Sequence, residues 1–419
     1  MVMFTMSRKE LSRVEWLSRV KQGEMSLRSA SVKMQVSYRQ AKRLWRRYQA
    51  EGESGLVHGL RGKPSNRKVD DAFHLRVVQL YQEKYSDFGV TLAAECLLEE
   101  DKINVPVETL RSWLKRGGLW QRRRKSQPHR SWRPRRDRSG ELVQIDGSPH
   151  DWFEGRGPKA VLMEMVDDAT GRTLSRFYEE ETTEAAMDLF ARYAKKYGLP
   201  QALYSDHDSI YETSLKTSTN EALRGEEPLT QFGRAMKELG VHIILANSPQ
   251  AKGRVERRHG VMQDRLIKKM RLKKISDIDS ANRFLDGGFL AQENVKFVKQ
   301  AACPKDGHRQ IPKGVDLNVV LSIQEERVVQ NDWTVVWQNR WFQLGAVEHK
   351  QRLVKKKVQV CRLLDGTMRL QYRGRELEWK ELPQRPARKK VARPKPAAIS
   401  KAVRKPRADH PWRKNRAVV

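Results

Sequence analysis

The sequence has few cysteines and no long apolar run. Its 419 residues include three cysteines, Cys96, Cys303 and Cys361, which lie far apart, and no CxxC pair occurs. This spacing argues against a zinc ribbon or a disulfide framework, so free thiols in a reducing cytoplasm are expected. No apolar run is long enough to cross a membrane, and no apolar leader follows the N-terminus, so neither a membrane partner nor secretion is expected.

Acidic residues are also scarce relative to basic ones. The 83 Lys and Arg against 51 Asp and Glu give a formal net charge of +32. So large an excess predicts an anionic polymer as partner, because basic side chains gain affinity by releasing counterions from phosphates. The helical pattern of residues 1–60 favours double-stranded DNA. The alternative, a merely solubilising surface, needs much less charge of one sign. The length predicts several domains.

Residues 1–60 have the pattern of a helix-turn-helix domain. Ser37 is a suitable N-cap for a helix from Tyr38 to Glu51, which Gly52 ends. One face of this helix is apolar and the other is basic and amide-bearing, as in helices that enter a major groove. The alternative is a solvated face on a three-helix core. The residues predicted to contact DNA here are Tyr38, Arg39, Gln40, Lys42, Arg43 and Arg46.

Residues 61–120 repeat the helical pattern and predict a second helix-turn-helix domain. Arg111, in its last helix, is the DNA contact predicted there. Residues 121–139 are rich in arginine and contain helix breakers, so they predict a basic linker that follows a phosphate backbone.

Residues 140–272 predict a mixed α/β domain. Three strands are followed by a helix, a strand, a helix, a strand and a long helix, an order that favours a five-stranded mixed sheet flanked by helices. The predicted strands are Glu141–Asp146, Ala160–Val166, Thr173–Tyr178, Ala202–Ser205 and Val241–Leu245, and the predicted helices are Thr183–Tyr197, Thr230–Leu239 and Gln250–Leu272. Residues 212–227 predict a polar loop.

The remaining segments differ in character. Residues 273–325 predict a helical extension. Residues 326–383 alternate between apolar and polar positions with regular turn signals, which predicts a small β-barrel of about five strands. Residues 384–419 are basic and rich in proline, so a disordered tail that binds nucleic acid non-specifically is expected.

Three carboxylates occupy positions from which a sheet could bring them together. Asp146 ends the first strand of the α/β domain, Asp206 follows the fourth, and Glu256 lies on the long helix. Such a trio can hold two divalent cations, and oxygen ligands favour Mg²⁺, with Mn²⁺ as a substitute. The alternative is that each Asp only caps a turn, and Asp208 is a rival to Asp206.

The segment before Glu256 adds to this interpretation. Residues 247–257 combine a loop and a helix N-terminus, whose backbone N–H groups suit phosphate. Lys252 and Arg254 bring positive charge beside Glu256 and are predicted DNA contacts.

These motifs resemble the DDE transposases of bacterial insertion sequences, whose catalytic core is similar to that of retroviral integrases. The resemblance extends from residue 8 to about residue 380. The motifs that carry it are Gln144-Ile145-Asp146-Gly147, Asp168-Ala169-Thr170-Gly171, Tyr204-Ser205-Asp206 and the Ser-Pro-Gln-x-Lys-Gly-x-x-Glu run from Ser248 to Glu256.

The resemblance implies an RNase H-like core with Asp146, Asp206 and Glu256 as catalytic metal ligands. It also implies helix-turn-helix domains that bind the terminal inverted repeats of an insertion sequence, and a homo-oligomeric synaptic complex that joins two ends. The expected activity is 3′-end cleavage and strand transfer into target DNA in the bacterial cytoplasm, in association with the nucleoid. The alternative is a non-catalytic, sequence-specific DNA-binding protein.

Overall fold

The computed structural model describes residues 6–61, 69–121, 134–213, 228–246, 253–345, 352–384 and 409–410. Its contacts divide the chain into two compact units, Met1–Arg124 and Lys125–Val419. The finer division into seven segments stays a prediction. The predicted polar loop beyond Thr213, most of the basic linker, Lys252 and nearly all of the C-terminal tail lie outside the described residues.

The described part of the first unit is helical, as predicted. Ser7, Ser26 and Ser37 are the N-caps of the first three helices, and each side-chain oxygen accepts a backbone N–H from the first turn. Leu17, Leu44 and other apolar residues form the core of these three helices. The helices are α1 Arg8–Lys21, α2 Leu27–Lys33, α3 Tyr38–Glu51, α4 Asp71–Lys84, α5 Val90–Glu99 and α6 Val107–Arg116.

A buried carboxylate joins α1 to the segment that follows α3. Glu10 accepts hydrogen bonds from the backbone N–H of Ser7, from the backbone N–H of His58 and from the guanidinium of Arg61. The backbone N–H groups of Ser7 and His58 hold the pKa of Glu10 down at about 2. This acid therefore stabilises the first helical domain as an anion.

The second unit contains the predicted five-stranded mixed sheet. Its strand order is β3-β2-β1-β4-β5. β1 is antiparallel to β2 and parallel to β4, and β4 is parallel to β5. The strands are β1 Leu142–His150, β2 Ala160–Asp167, β3 Thr173–Tyr178, β4 Ala202–Ser205 and β5 His242–Leu245.

Three helices pack with this sheet around one apolar core. Helix α9 contributes Met262 and Leu266, which are fully buried. Its apolar stripe therefore faces the sheet, as its helical spacing predicted. The helices are α7 Thr183–Tyr197, α8 Gln231–Glu238 and α9 Gly253–Leu272.

The predicted end of the first strand was wrong. Strand β1 does not stop at Asp146 but continues to His150, because its pairing with β2 runs on as far as His150 opposite Ala160. Gly147, the residue after Asp146, is therefore inside the strand and not at its exit. It makes room for a neighbour, since a Cβ on Gly147 would lie 2.0 Å from Oε2 of Glu181.

The predicted helical extension contains three further helices, and two of its asparagines cover the edge of β3. The Asn282 side chain bonds both backbone groups of Phe177, and the Asn294 side chain bonds both backbone groups of Thr173. These amides take the place of a sixth strand. The helices are α10 Ile278–Phe284, α11 Leu290–Phe297 and α12 Leu317–Val320.

The C-terminal strands do not confirm the predicted barrel. Seven strands are present where about five were expected, and they form two open sheets, ordered β11-β10-β9-β6 and β12-β8-β7. No pairing among the described residues joins the two sheets, although they share one apolar core. The strands are β6 Ile323–Val328, β7 Thr334–Trp337, β8 Arg340–Leu344, β9 Lys357–Arg362, β10 Met368–Tyr372, β11 Arg375–Leu377 and β12 Trp379–Leu382.

Among the described residues, the helices are all too short or too polar to cross a bilayer.

Candidate active site

The register of two adjacent parallel strands brings Asp146 and Asp206 to equivalent positions along the sheet. The last paired residues of β1 and β4 are Gln144 and Tyr204. Each aspartate follows two residues later, Asp146 within β1 and Asp206 directly after the last residue of β4. This register brings the two aspartates to one edge of the sheet, where β4 ends while β1 continues to His150.

The buried hydroxyl group of Tyr211 is subject to the negative charge of the carboxylates at this edge. Burial raises the pKa of Tyr211 well above its usual value, and the negative charges of Glu181, Asp206, Asp146 and Asp208 raise it further. The hydroxyl oxygen is buried and has no hydrogen-bond partner within the described part of the chain. A buried polar group of this kind is costly.

Glu181 belongs to this cluster of carboxylates although sequence reasoning did not identify it. It lies in the connection between β3 and α7, and its carboxylate packs over Gly147, the residue after Asp146. The signal was weak, because Glu181 follows two other glutamates, Glu179 and Glu180, and nothing in the spacing distinguishes the third.

Glu256 lies in the first turn of α9, and its side chain is exposed. The adjacent residue ties this turn to the sheet, since the backbone N–H of Val255 donates to the side-chain oxygen of Gln144 at 3.1 Å. Among the described residues, however, no three His, Cys, Asp or Glu side chains are close enough together to form a metal site. The structure thus brings Asp146 and Asp206 to one edge and does not complete the trio with Glu256.

Asp168 connects several elements around the site. Its buried carboxylate accepts the Gln144 amide at 3.0 Å and the backbone N–H of Arg136 at 2.9 Å. The guanidinium of Arg254 lies 3.2 Å from the same carboxylate. Arg254, a predicted DNA contact, is therefore engaged inside the protein in this structure. Sequence analysis recognised Asp168 only as part of a turn, and its role in connecting these elements depends on tertiary contacts.

Asp208, the rival to Asp206, has a local role. Its Oδ1 atom accepts the backbone N–H of Ile210 at 2.9 Å and so caps the turn after β4.

Two polar residues beside Asp146 were not predicted as site residues. Glu164 lies opposite Asp146 on β2 and is fully buried, and His259 of α9 lies within 4 Å of both carboxylates. Burial raises the pKa of Glu164 to about 7. A signal did exist, because Glu164 is the one charged residue in the apolar run Ala160–Val166, and His259 follows Glu256 by one helical turn.

The predicted DNA-contacting face of α3 is open to solvent. Arg39, Arg43 and Arg46 are exposed. The ammonium group of Lys42 lies 4.7 Å from the centre of the exposed Tyr38 ring, while Gln40 is half-buried. The opposite face packs into the core through Ala41 and Leu44. The helix thus presents a basic surface on a folded support.

Arg111, predicted to contact DNA from the second module, is half-buried. Its guanidinium lies 5.5 Å from the centre of the Trp120 ring and 3.6 Å from the Glu108 carboxylate. These contacts occupy it within its own unit.

The groups at the sheet edge suit a hard divalent cation. The available donors are carboxylate oxygens, which Mg²⁺ and Mn²⁺ prefer, and the described part of the cluster offers no cysteine ligand. The unsatisfied Tyr211 hydroxyl among these negative charges fits a cluster that is completed by a cation and its water.

Comparisons with known proteins agree with this architecture. A helix-turn-helix domain family matches residues 12–65. The chain is 38% identical over 382 residues to the putative transposase y4bF of Sinorhizobium fredii (strain NBRC 101917 / NGR234), an alignment that covers 91% of this chain and 82% of the relative. It is 27% identical over 402 residues to the transposase for insertion sequence IS1202 of Streptococcus pneumoniae, covering 87% and 84%. The chain therefore belongs to the transposases of bacterial insertion sequences, as its motifs predicted.

Among solved structures, one match is a simian T-cell lymphotropic virus intasome in complex with PP2A regulatory subunit B56 gamma. The alignment covers 74% of this chain and 100% of the matched chain. The sequence identity is 14% and the TM-score 0.32. At that TM-score the likeness supports no conclusion about this chain.

Proposed function

We propose that this transposase binds the terminal inverted repeats of its insertion sequence and catalyses metal-dependent 3′-end cleavage and strand transfer into target DNA. The observation that carries the proposal is the register of the parallel strands β1 and β4, in which Asp146 and Asp206 each follow the last paired residue by two positions. This placement suits metal binding, and the membership of the chain in a transposase family supports the same activity.

Asp146, Asp206 and Glu256 are the residues that would hold the cations. When bound, Mg²⁺ or Mn²⁺ activates the attacking oxygen and stabilises the charge on the leaving oxygen. The chain's own task is to keep the carboxylates ionised and aimed at one place. Strands β1 and β4 place the two aspartates, and the Gln144 to Val255 hydrogen bond ties the Glu256 turn to the same sheet.

The DNA ends would be held mainly by the N-terminal unit. The exposed basic face of α3 suits a major groove, where Arg39, Arg43 and Arg46 could contact phosphates or base edges. Lys252 and Arg254 are proposed to contact phosphate beside the active site, and Arg111 to do so from the second helical module. For Arg254 this requires release from Asp168.

Joining two ends implies two catalytic sites. A homo-oligomeric synaptic complex on DNA is accordingly part of the proposal, in the bacterial cytoplasm next to the nucleoid. Target DNA is the second substrate.

One observation favours a different function. Because Glu256 is exposed and the described residues contain no complete three-ligand site, the chain could occupy its DNA ends without cutting them. It would then be a sequence-specific DNA-binding protein and not an enzyme.

A cleavage and strand-transfer assay with a cognate terminal repeat and Mg²⁺ separates the two functions. The wild type should nick and join, and Asp146→Asn, Asp206→Asn and Glu256→Gln should each lower the rate by more than about a hundredfold. End binding should be unchanged in all three. Asp264→Asn is a matched control, since Asp264 is an exposed acid of α9 paired with Lys268.

A wild type that binds its ends tightly and never cuts them would favour the regulator. Strand transfer that persists in Asp146→Asn would refute the catalytic assignment.

A further inference from the structure

Asp146 and Glu164 are directly paired residues of antiparallel strands. Asp146 on β1 lies opposite Glu164 on β2. Side chains of paired residues project from the same face with their Cβ atoms about 5 Å apart. Glu164 is fully buried and Asp146 is half-buried. Two carboxylates in this relation repel each other, so the fold must supply a compensating group.

The Arg258 guanidinium offsets the charge of Glu164, and His259 of α9 lies close to both carboxylates. Its Nε2 atom lies 3.4 Å from Oε2 of Glu164, and its Nδ1 atom lies 3.8 Å from Oδ2 of Asp146. The imidazole ring is buried. Each ring nitrogen therefore faces a different carboxylate, one structural and one proposed to be catalytic.

Glu164 is itself held in place on its other side. Its Oε1 atom accepts a hydrogen bond from the hydroxyl of Ser175 at 2.7 Å. Its Oε2 atom has no hydrogen-bond partner in the described part of the chain and is turned toward His259. A buried carboxylate oxygen that lacks a donor attracts a nearby N–H, and the imidazole Nε2 lies 3.4 Å away.

We propose that Glu164 and His259 are positioning residues for Asp146. The buried Glu164 carboxylate orients the imidazole, and the imidazole holds Oδ2 of Asp146 in the orientation that binds the catalytic cation. This inference rests on the proposed function, because it assigns the pair to the same metal site. Residues that orient a metal ligand commonly change metal affinity about 10- to 100-fold when they are replaced.

A purely structural role makes a different prediction. If the pair only packs α9 against the sheet, its loss would lower stability and leave metal affinity unchanged. Metal affinity, measured without any turnover of DNA, therefore distinguishes the two roles.

The test measures the affinity of the full-length protein for Mn²⁺ by calorimetry and by electron paramagnetic resonance. Glu164→Gln and His259→Asn should each weaken Mn²⁺ binding about tenfold. The double variant should be no weaker than the single ones, because both changes break the same link. Glu164→Gln is nearly isosteric, so it decides the question if His259→Asn does not fold.

Glu293→Gln is the matched control. Glu293 is an equally buried carboxylate paired with Arg265 of the same helix, at 3.0 Å. Its replacement should lower the melting temperature and keep wild-type Mn²⁺ affinity. If Glu293→Gln weakened Mn²⁺ binding as much as Glu164→Gln does, general loosening of α9 would explain the effect and the positioning role would be rejected.

Asp146→Asn separates the two proposals. If it abolishes Mn²⁺ binding while Glu164→Gln and His259→Asn bind normally, or if the double variant shows additive losses, the positioning role is overturned and the proposed function stands. If Asp146→Asn also binds Mn²⁺ like the wild type, the metal site itself is wrong, and the positioning role fails with it.

Discussion

The side chain of Gln144 accepts a hydrogen bond from the backbone N–H of Val255, 111 residues further along the chain, at 3.1 Å. The same amide donates to Asp168 at 3.0 Å. Gln144 is fully buried and lies two residues before Asp146. One side chain thus connects the strand that carries the first aspartate to the helix turn that carries Glu256.

Replacing Gln144 by Leu should uncouple these elements. The backbone N–H of Val255 and the Asp168 carboxylate would each lose a buried partner, at a cost of about 2 kcal/mol or more in the free energy of unfolding. Urea denaturation measures this loss, and strand transfer should fall further than stability predicts, because Glu256 is no longer held. Gln201→Leu, which removes a hydrogen bond to the backbone of Gly307, is the control expected to spare strand transfer. Equal losses in the two variants would show that Gln144 has no special role in the site.

The two asparagines that cover β3 should protect an exposed sheet edge. Asn282→Ala and Asn294→Ala each remove two hydrogen bonds to strand backbone, and each should lower the free energy of unfolding by about 2 kcal/mol. An uncovered edge also invites pairing with another chain. Light scattering during mild heating should therefore show earlier aggregation in the double variant. Aggregation at the wild-type temperature would contradict this role for the helical extension.

The exposed arginines of α3 should account for recognition of the DNA ends. Replacing one that binds a phosphate should weaken binding to all sequences and reduce the slope of log affinity against log salt by about 1. Replacing one that contacts a base should cost about 1–3 kcal/mol on the cognate end alone. Fluorescence anisotropy at several salt concentrations would assign Arg39, Arg43 and Arg46 to one class or the other. Arg8→Ala, an exposed arginine of α1, is the control. If it weakened binding as much as the α3 variants do, α3 would not be the recognition helix.

The anionic form of Glu10 should make the first helical domain acid-sensitive. Its pKa is about 2 in the folded chain against an ordinary value of 4.5, because backbone N–H groups of Ser7 and His58 bind the carboxylate only when the chain is folded. The stabilisation is therefore complete above pH 4.5 and is lost as the pH falls toward 2.

Glu10→Gln tests this directly. The variant should melt at a lower temperature than the wild type at neutral pH, and the difference should shrink as the pH falls through 4 toward 2. Circular dichroism melting curves of the full-length protein at several pH values measure this difference in melting temperature. A difference that stays constant across this range would mean that packing, and not the charge of Glu10, is responsible.

Most elements could be predicted from local patterns. Ser37 as N-cap and Gly52 as stop predicted α3, and apolar periodicity predicted Thr173–Tyr178, Thr183–Tyr197 and Ala202–Ser205 with the same bounds as the structure. The errors came from pairing. Strand β1 extends beyond Asp146 because β2 pairs with it as far as His150. The C-terminal strands form two open sheets, since no pairing among the described residues joins them. Both outcomes depend on partners distant in sequence.

The sequence by itself determined the class of partner, the helical and α/β segments, and the placement of Asp146 on the first strand and of Asp206 after the fourth, since charge, capping and periodicity are local properties. Only the tertiary structure decided what surrounds Asp146. Glu164 comes opposite it through strand register, His259 through the packing of α9, and Glu181 through the space left by Gly147. These neighbours are brought together by burial and hydrogen bonding over long separations, which no local pattern encodes.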